Sequence, residues 1–155
     1  MAIQRLFVRK RDAFANEAAH VLATLQQELH VPATAVQIYE RYDVENLSEQ
    51  ALQNAKHLIF SEPPVDLVAE TLDIPANAFV FAIEYVPGQY DQRADSTEQC
   101  ISMLTLTTGH TVRCARVFII EGTFTEEEKA AIKQYYINPV DSREASLELP
   151  DTLAL

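Results

Sequence analysis

One pattern constrains this chain more than any other: an order of strand and helix that is laid down once and then repeated. Residues 3–10 read as a strand, with Leu6, Phe7 and Val8 between Arg5 and Arg9. Over 13–29 the residues Ala18, Val21, Leu22, Leu25 and Leu29 recur at three or four, the period of a helix face, and Pro32 ends the stretch. Residues 36–44 suit a strand, or a tight pair of strands broken near Glu40-Arg41. Ser48 caps a second helix whose inward face is Ala51, Leu52, Ala55, Leu58 and Ile59. Pro63-Pro64 stops it, and 65–72 returns as a strand.

The order then starts again. A strand over 79–86 leads to a helix over 96–106, with Cys100, Ile101, Met103 and Leu104 expected to turn inward. A strand over 112–121 follows. Thr125 and Glu128 form a capping box for a helix that runs to Tyr136, its acidic first turn complementing the helix dipole. Residues 142–149 are expected as a last strand.

Laid side by side with a shift of about 77, Leu47-Ser48-Glu49 faces Phe124-Thr125-Glu126, and Ile59-Phe60 faces Tyr136-Ile137. Strand, helix, strand or strand pair, helix, strand is the ferredoxin-like plan. The expected fold class is therefore α+β, with duplicated ferredoxin-like units forming two antiparallel sheets with helices packed on them. The domain spans 1–149, its repeats are about 1–75 and 78–149, and 150–155 begins a linker. At 155 residues the chain can bury roughly 68–70% of its unfolded surface, so no disulfide or metal staple is needed.

Composition removes several functions. A net charge of −11 repels nucleic acid and anionic membrane surfaces, which argues against both as partners. The longest apolar run, 78–83, falls far short of the ~20 residues that span a bilayer, and residues 1–5 lack the apolar core of a signal peptide. A soluble, cytoplasmic protein is expected. Cys100 and Cys114 show no CxxC spacing and read as reduced, buried thiols. His20, His30, His57 and His110 are scattered without metal-ligand spacing, so no metal site is expected. With only three glycines the chain cannot build a Gly-rich phosphate loop. No nucleophile elbow or triad appears, and the fragment alone is expected to be non-catalytic.

The densest polar stretch is 85–100, YVPGQYDQRADSTEQC. It leaves an apolar strand, turns at Pro87-Gly88, and enters a helix with Asp95 or Ser96 as N-cap and Gln99 completing a capping box. A loop with solvated charges explains it without function. The functional reading rests on density: Gln89, Tyr90, Asp91, Gln92, Arg93, Asp95 and Ser96 sit where side chains and free backbone N–H groups converge.

Together with 60–66 (FSEPPVD) and 137–145 (INPVDSREA), this stretch resembles the N-terminal region of the long, single-chain form of phosphoribosylformylglycinamidine synthase. The resemblance implies a domain like two fused small accessory subunits. It would belong to an amidoligase that uses ATP, Mg and glutamine to convert formylglycinamide ribonucleotide to formylglycinamidine ribonucleotide in purine biosynthesis. The ATP-binding and glutaminase parts are not in this chain, so no cofactor is expected on it. Its implied partners are the synthetase and glutaminase domains of the same polypeptide. Gln89, Tyr90, Asp91, Arg93, Asp95 and Ser96 become candidates for an interdomain or substrate-side loop, and Arg143 for an interdomain ion pair. The rival reading is a stand-alone regulatory module of duplicated ferredoxin-like units that binds a small molecule.

Overall fold

The fold is that of a computed structural model describing residues 3–153. It is α+β: one open, antiparallel six-stranded sheet with four α-helices. In chain order the elements are β1 (Gln4–Lys10), α1 (Asn16–Gln27), β2 (Ala35–Glu45), α2 (Glu49–Leu58), β3 (Asp66–Ala69), β4 (Ala78–Tyr85), α3 (Gln92–Thr105), β5 (Thr111–Glu121), α4 (Glu126–Tyr136) and β6 (Ser142–Ala145). A short 3-10 turn, Asp12–Phe14, precedes α1.

The strand order is β3-β1-β2-β5-β4-β6. One continuous sheet thus replaces the two that the sequence suggests, because β2 and β5 pair along their whole length, from Ala35↔Glu121 to Glu45↔Thr111. β2 is also one unbroken strand, with Glu40 and Arg41 in its middle and no hairpin there. Charged side chains do not break a strand whose neighbours satisfy its backbone on both edges. The outer strands β3 and β6 have four residues each, shorter than the patterns at 65–72 and 142–149 suggest.

Alternation of side chains across a strand explains the layers. Leu6, Val8, Tyr42, Val44 and Val112 point to one face, where α2 and α3 cover them with Leu52, Ala55, Ala94 and Ile101. Ile38, Phe81, Phe118 and Ile120 lie on that same face nearer the other end of β2 and β5, beneath Val21 and Leu25 of α1 and Ile132 of α4. All four helices therefore share a face and divide it into two pairs. Two caps fix where helices start: Ser48 accepts from the Ala51 N–H, and Thr125 with Glu128 closes a reciprocal capping box. Gly122 needs to be glycine; its φ is +143°, and a Cβ there would stand 2.6 Å from the Pro32 carbonyl oxygen.

The opposite face carries Phe7, Tyr39, Ala82, Val117 and Ile119, all buried although no helix lies over them. Leu72 packs there from the connection between β3 and β4. After β6, residues 146–153 run back across this face as an extended strap. Arg5 donates to the Leu147 and Glu148 carbonyls, Arg41 to Ser146, and Arg113 to Leu153. The Leu153 N–H donates to Glu45 at 3.0 Å, and Leu153 is buried. Residues 150–153, expected to begin a linker, thus lie on the sheet; 154–155 fall outside the described residues. Among the described residues no helix is long and apolar enough to cross a membrane.

Candidate functional site

The gap between the two helix pairs opens over the middle of the sheet, and four charged side chains meet there. Glu40 of β2 and Arg116 of β5 are direct register partners. Arg93, from the first turn of α3, reaches Glu40 at 2.8 Å, and the Arg116 Nε lies 3.4 Å from the other Glu40 oxygen. Glu17, from the first turn of α1, pairs with Arg116. The chain of contacts is Glu17–Arg116–Glu40–Arg93, with charges alternating and summing to zero.

These four positions are counterparts of one another. β2 and β5 stand 76 residues apart at both ends, Ala35 to Thr111 and Glu45 to Glu121. The same offset carries Glu17 to Arg93 and Glu40 to Arg116. The Glu17–Arg116 contact is thus repeated as Arg93–Glu40 with the signs exchanged. If the halves carried identical residues here, both contacts would set like charges together, at a cost similar to the gain from opposite ones.

The environment tunes these groups. Burial lifts the Glu40 carboxyl above its ordinary range, and Arg93 only partly offsets that. Burial pulls Arg93 down, but Glu40 and then Tyr42 outweigh it and leave it raised. Arg116 is lowered by burial. Its Nε is shut off from water and makes no hydrogen bond of good geometry.

Beside this chain lies a crevice of about 690 Å³, walled by the N-terminal turn of α3, by β4 and β5, and by Tyr136, Asn138, Asp141 and Ser142. A smaller cavity of about 350 Å³, on the α1 side, shares Glu40 and Arg93 with it. The loop into α3 is built at the rim. Gly88, at φ +93°, completes a turn in which the Gln89 N–H donates to the Val86 carbonyl at 3.1 Å. The Val86 N–H in turn donates to the Asp141 carbonyl, tying the loop to the entrance of β6.

Several sequence expectations change here. The N-cap of α3 is Asp91, whose carboxylate accepts from the Ala94 N–H at 3.1 Å; Asp95 and Ser96 lie inside the helix. Asp95 instead accepts from the Tyr90 hydroxyl at 2.9 Å and from Gln99 at 3.1 Å. The earlier start turns Ala94, Thr97 and Ile101 inward, so Cys100 is exposed and Met103 is 76% exposed. Asp91, Arg93 and Ser96 line the crevice, whereas Gln89 and Tyr90 stand exposed outside it. Arg143 pairs within the chain, with its register partner Glu84 at 2.8 Å.

Glu17, Glu40 and Arg116 are the site residues that sequence reasoning missed. The signal was present: at a shift of 76 the pairs 17/93 and 40/116 are opposite in charge, and both strand positions interrupt apolar runs. Cys114 lines the crevice, but burial pushes its thiol up and keeps it protonated, and no histidine lines the wall among the described residues. Among those residues no group of three or more His, Cys, Asp or Glu could hold a metal ion.

No family model, curated protein or solved structure matches this chain. The functional reading therefore rests on the residues and on how the fold gathers them.

Proposed function

We propose that this chain is the N-terminal domain of a long-form phosphoribosylformylglycinamidine synthase, a cytoplasmic purine-biosynthesis ligase, and that it works as a structural coupling element. It consists of two fused copies of one β-α-β-α-β unit, the ferredoxin-like plan with its middle strand pair drawn out into a single long strand. It packs against the synthetase and glutaminase domains of the same polypeptide and keeps their active sites aligned, so that ammonia passes between them without escaping to water. ATP and Mg are held by those other domains. The loop at Gln89–Tyr90 and the crevice behind it form the docking face.

One observation carries this reading. The three segments that bear the resemblance, far apart in sequence, gather around one centre. Asp91, Arg93 and Ser96 from the second and Asn138, Asp141 and Ser142 from the third line the large crevice. Phe60 and Asp66 from the first line the smaller cavity, which shares Glu40 and Arg93. Segments of no common element that converge on one centre are what a shared docking or substrate-side surface requires.

The test is made in the full-length enzyme. Arg93→Ala is expected to lower the glutamine-dependent rate more than the rate supported by added ammonia, because alignment and not chemistry is disturbed. If glutamine-dependent rate and substrate KM both stay unchanged, the role given to this loop is wrong. Intact mass of the native polypeptide comes first: a chain several times longer than this one is expected.

The size of the crevice favours a second reading, a regulatory module, since small-molecule sites typically enclose about 300–1,000 Å³. A thermal-shift screen separates the two. A coupling domain shows no shift with amino acids or nucleotides, whereas a regulatory module is stabilised by its effector through mass action.

A further inference from the structure

The face away from the helices holds a different charged cluster, for which the coupling role has no use. Arg5 of β1, Asp43 of β2 and Arg113 of β5 form a row straight across the sheet, for Asp43 is the register partner of both arginines. Arg41 lies two residues from Asp43 on the same strand and face. Asp43 is buried and is gripped by Arg5 through two contacts, at 2.6 and 2.9 Å. It meets Arg41 only at 3.9 Å. Two guanidiniums therefore share one buried carboxylate, and a third, that of Arg113, stands beside it without reaching it.

The other acids nearby are committed or remote. Glu84 is held by Arg143, and Glu144 is held by Lys133 at 3.0 Å toward the helix-covered side. Glu148 sits at the exposed rim, where water screens it. Arg113 is left facing a neutral partner, the Leu153 carbonyl oxygen, and Arg41 donates to the Ser146 carbonyl with only the 3.9 Å contact to Asp43 and the more distant Glu84 as counter-charge. Arg113 has no carboxylate within ion-pair reach among the described residues. Arg41 is only 5% exposed, and a buried guanidinium offers five N–H donors. Holding such a charge with so weak a counter-ion is costly. Between these side chains and the strap lies a cavity of about 430 Å³, lined by Arg5, Arg41, Arg113 and Arg143 and by the acids Asp43, Glu84, Glu144 and Glu148, of which Asp43, Glu84 and Glu144 already hold basic partners.

We infer that this cavity is a binding site for a compact oxyanion of the phosphate type, taken between Arg41 and Arg113 beneath the 146–153 strap. Planar guanidiniums on neighbouring strands offer paired N–H groups to adjacent oxygens, the geometry that suits phosphate. Selectivity comes from the setting. The chain as a whole carries −11 and repels anions in general, so only one that reaches these desolvated arginines gains from binding. Burial, with Arg5 next, pulls the Arg41 guanidinium down from its ordinary range, which is the state an added anion would relieve.

The experiment is isothermal titration of the intact chain with inorganic phosphate and, separately, with glycerol phosphate, at constant ionic strength. Saturable one-to-one binding is expected. Preference for inorganic phosphate identifies the free ion as ligand, and preference for the ester identifies a phosphorylated metabolite. Arg113→Gln, at a half-buried position, is expected to weaken binding by about tenfold or more, as loss of a charge-assisted contact does. Arg41→Gln is expected to abolish it, provided circular dichroism shows the variant folded. Lys129→Gln, on α4 away from this cavity, should bind like the parent. Absence of saturable heat in the parent chain, or full binding by a folded Arg41→Gln and by Arg113→Gln, overturns the proposal.

Discussion

The two faces of the sheet solve the same problem, charge inside a small fold, in opposite ways. On the helix-covered face Glu17, Arg116, Glu40 and Arg93 alternate in sign and leave nothing over. All three contacts join one half of the chain to the other, and Arg116 and Arg93 remain 38% and 47% exposed. On the other face three arginines surround one aspartate, and neutral carbonyls make up the difference. A balanced cluster recognises the other half of its own chain. An unbalanced one calls for something else.

The largest effect is expected at the centre of the unbalanced cluster. Asp43→Asn removes the buried carboxylate that Arg5 grips and Arg41 approaches and should cost about 3–5 kcal/mol, as breaking a buried pair does. Urea denaturation of the folded fraction measures it; a loss no greater than that of a surface substitution would mean that the arginines find other partners. Added phosphate should recover part of the stability if the site described above exists.

A smaller effect is expected on the balanced face. Arg93→Glu sets two acids together and, at a partly exposed position, should cost about 1 kcal/mol. Glu40→Arg in the same chain would restore the Arg93 position yet place an arginine against Arg116. Only the fourfold exchange at 17, 40, 93 and 116 is therefore expected to return stability close to the parent. A double variant as stable as the fourfold one would show that the four residues do not act as one chain of contacts.

The smallest effect is a pH dependence confined to the balanced face. Glu40 titrates above its ordinary 4.5 in the folded protein, so folding favours its protonated form. Its contribution to stability is thus fully present below 4.5 and is lost as pH rises through the raised folded value. In Glu40→Gln that decline should flatten, while Asp43→Asn should leave it in place. Thermal melts across mildly acidic pH test this, and a decline that persists in Glu40→Gln assigns it to another carboxylate.

Much of this was legible from local chemistry. Ser48 and Thr125 announce their helices because an N-cap needs only residues within one turn. The α3 start misled for the same reason: Asp91, Asp95 and Ser96 all suit a cap, and the tie from the Val86 N–H to Asp141, out of reach of local reading, fixes how the chain enters. Cys100, Met103 and Leu104 look like a core face by polarity, yet Ala94, Thr97 and Ile101 occupy it. The β2–β5 pairing joins residues up to 86 positions apart, from Ala35 to Glu121, and no local signal encodes it. It decided between one sheet and two. The candidate site followed from that pairing, since Glu40 meets Arg116 only when the strands are joined.

The strap that closes the far side of the sheet also sets an order in time. Its contacts span 142 residues from Arg5 to Leu147, 105 from Arg41 to Ser146 and 108 from Glu45 to Leu153. Contacts of such reach form late, because the loops they close are long. On a ribosome, where β1 emerges long before the strap is made, Arg41 and Glu45 must wait until residues 146–153 have appeared. Until then the side chains of Arg5, Arg41 and Arg113 lack the carbonyl partners that the strap supplies. The nascent protein is most prone to stick to its neighbours in that interval, and the arrival of residues 146–153 ends it.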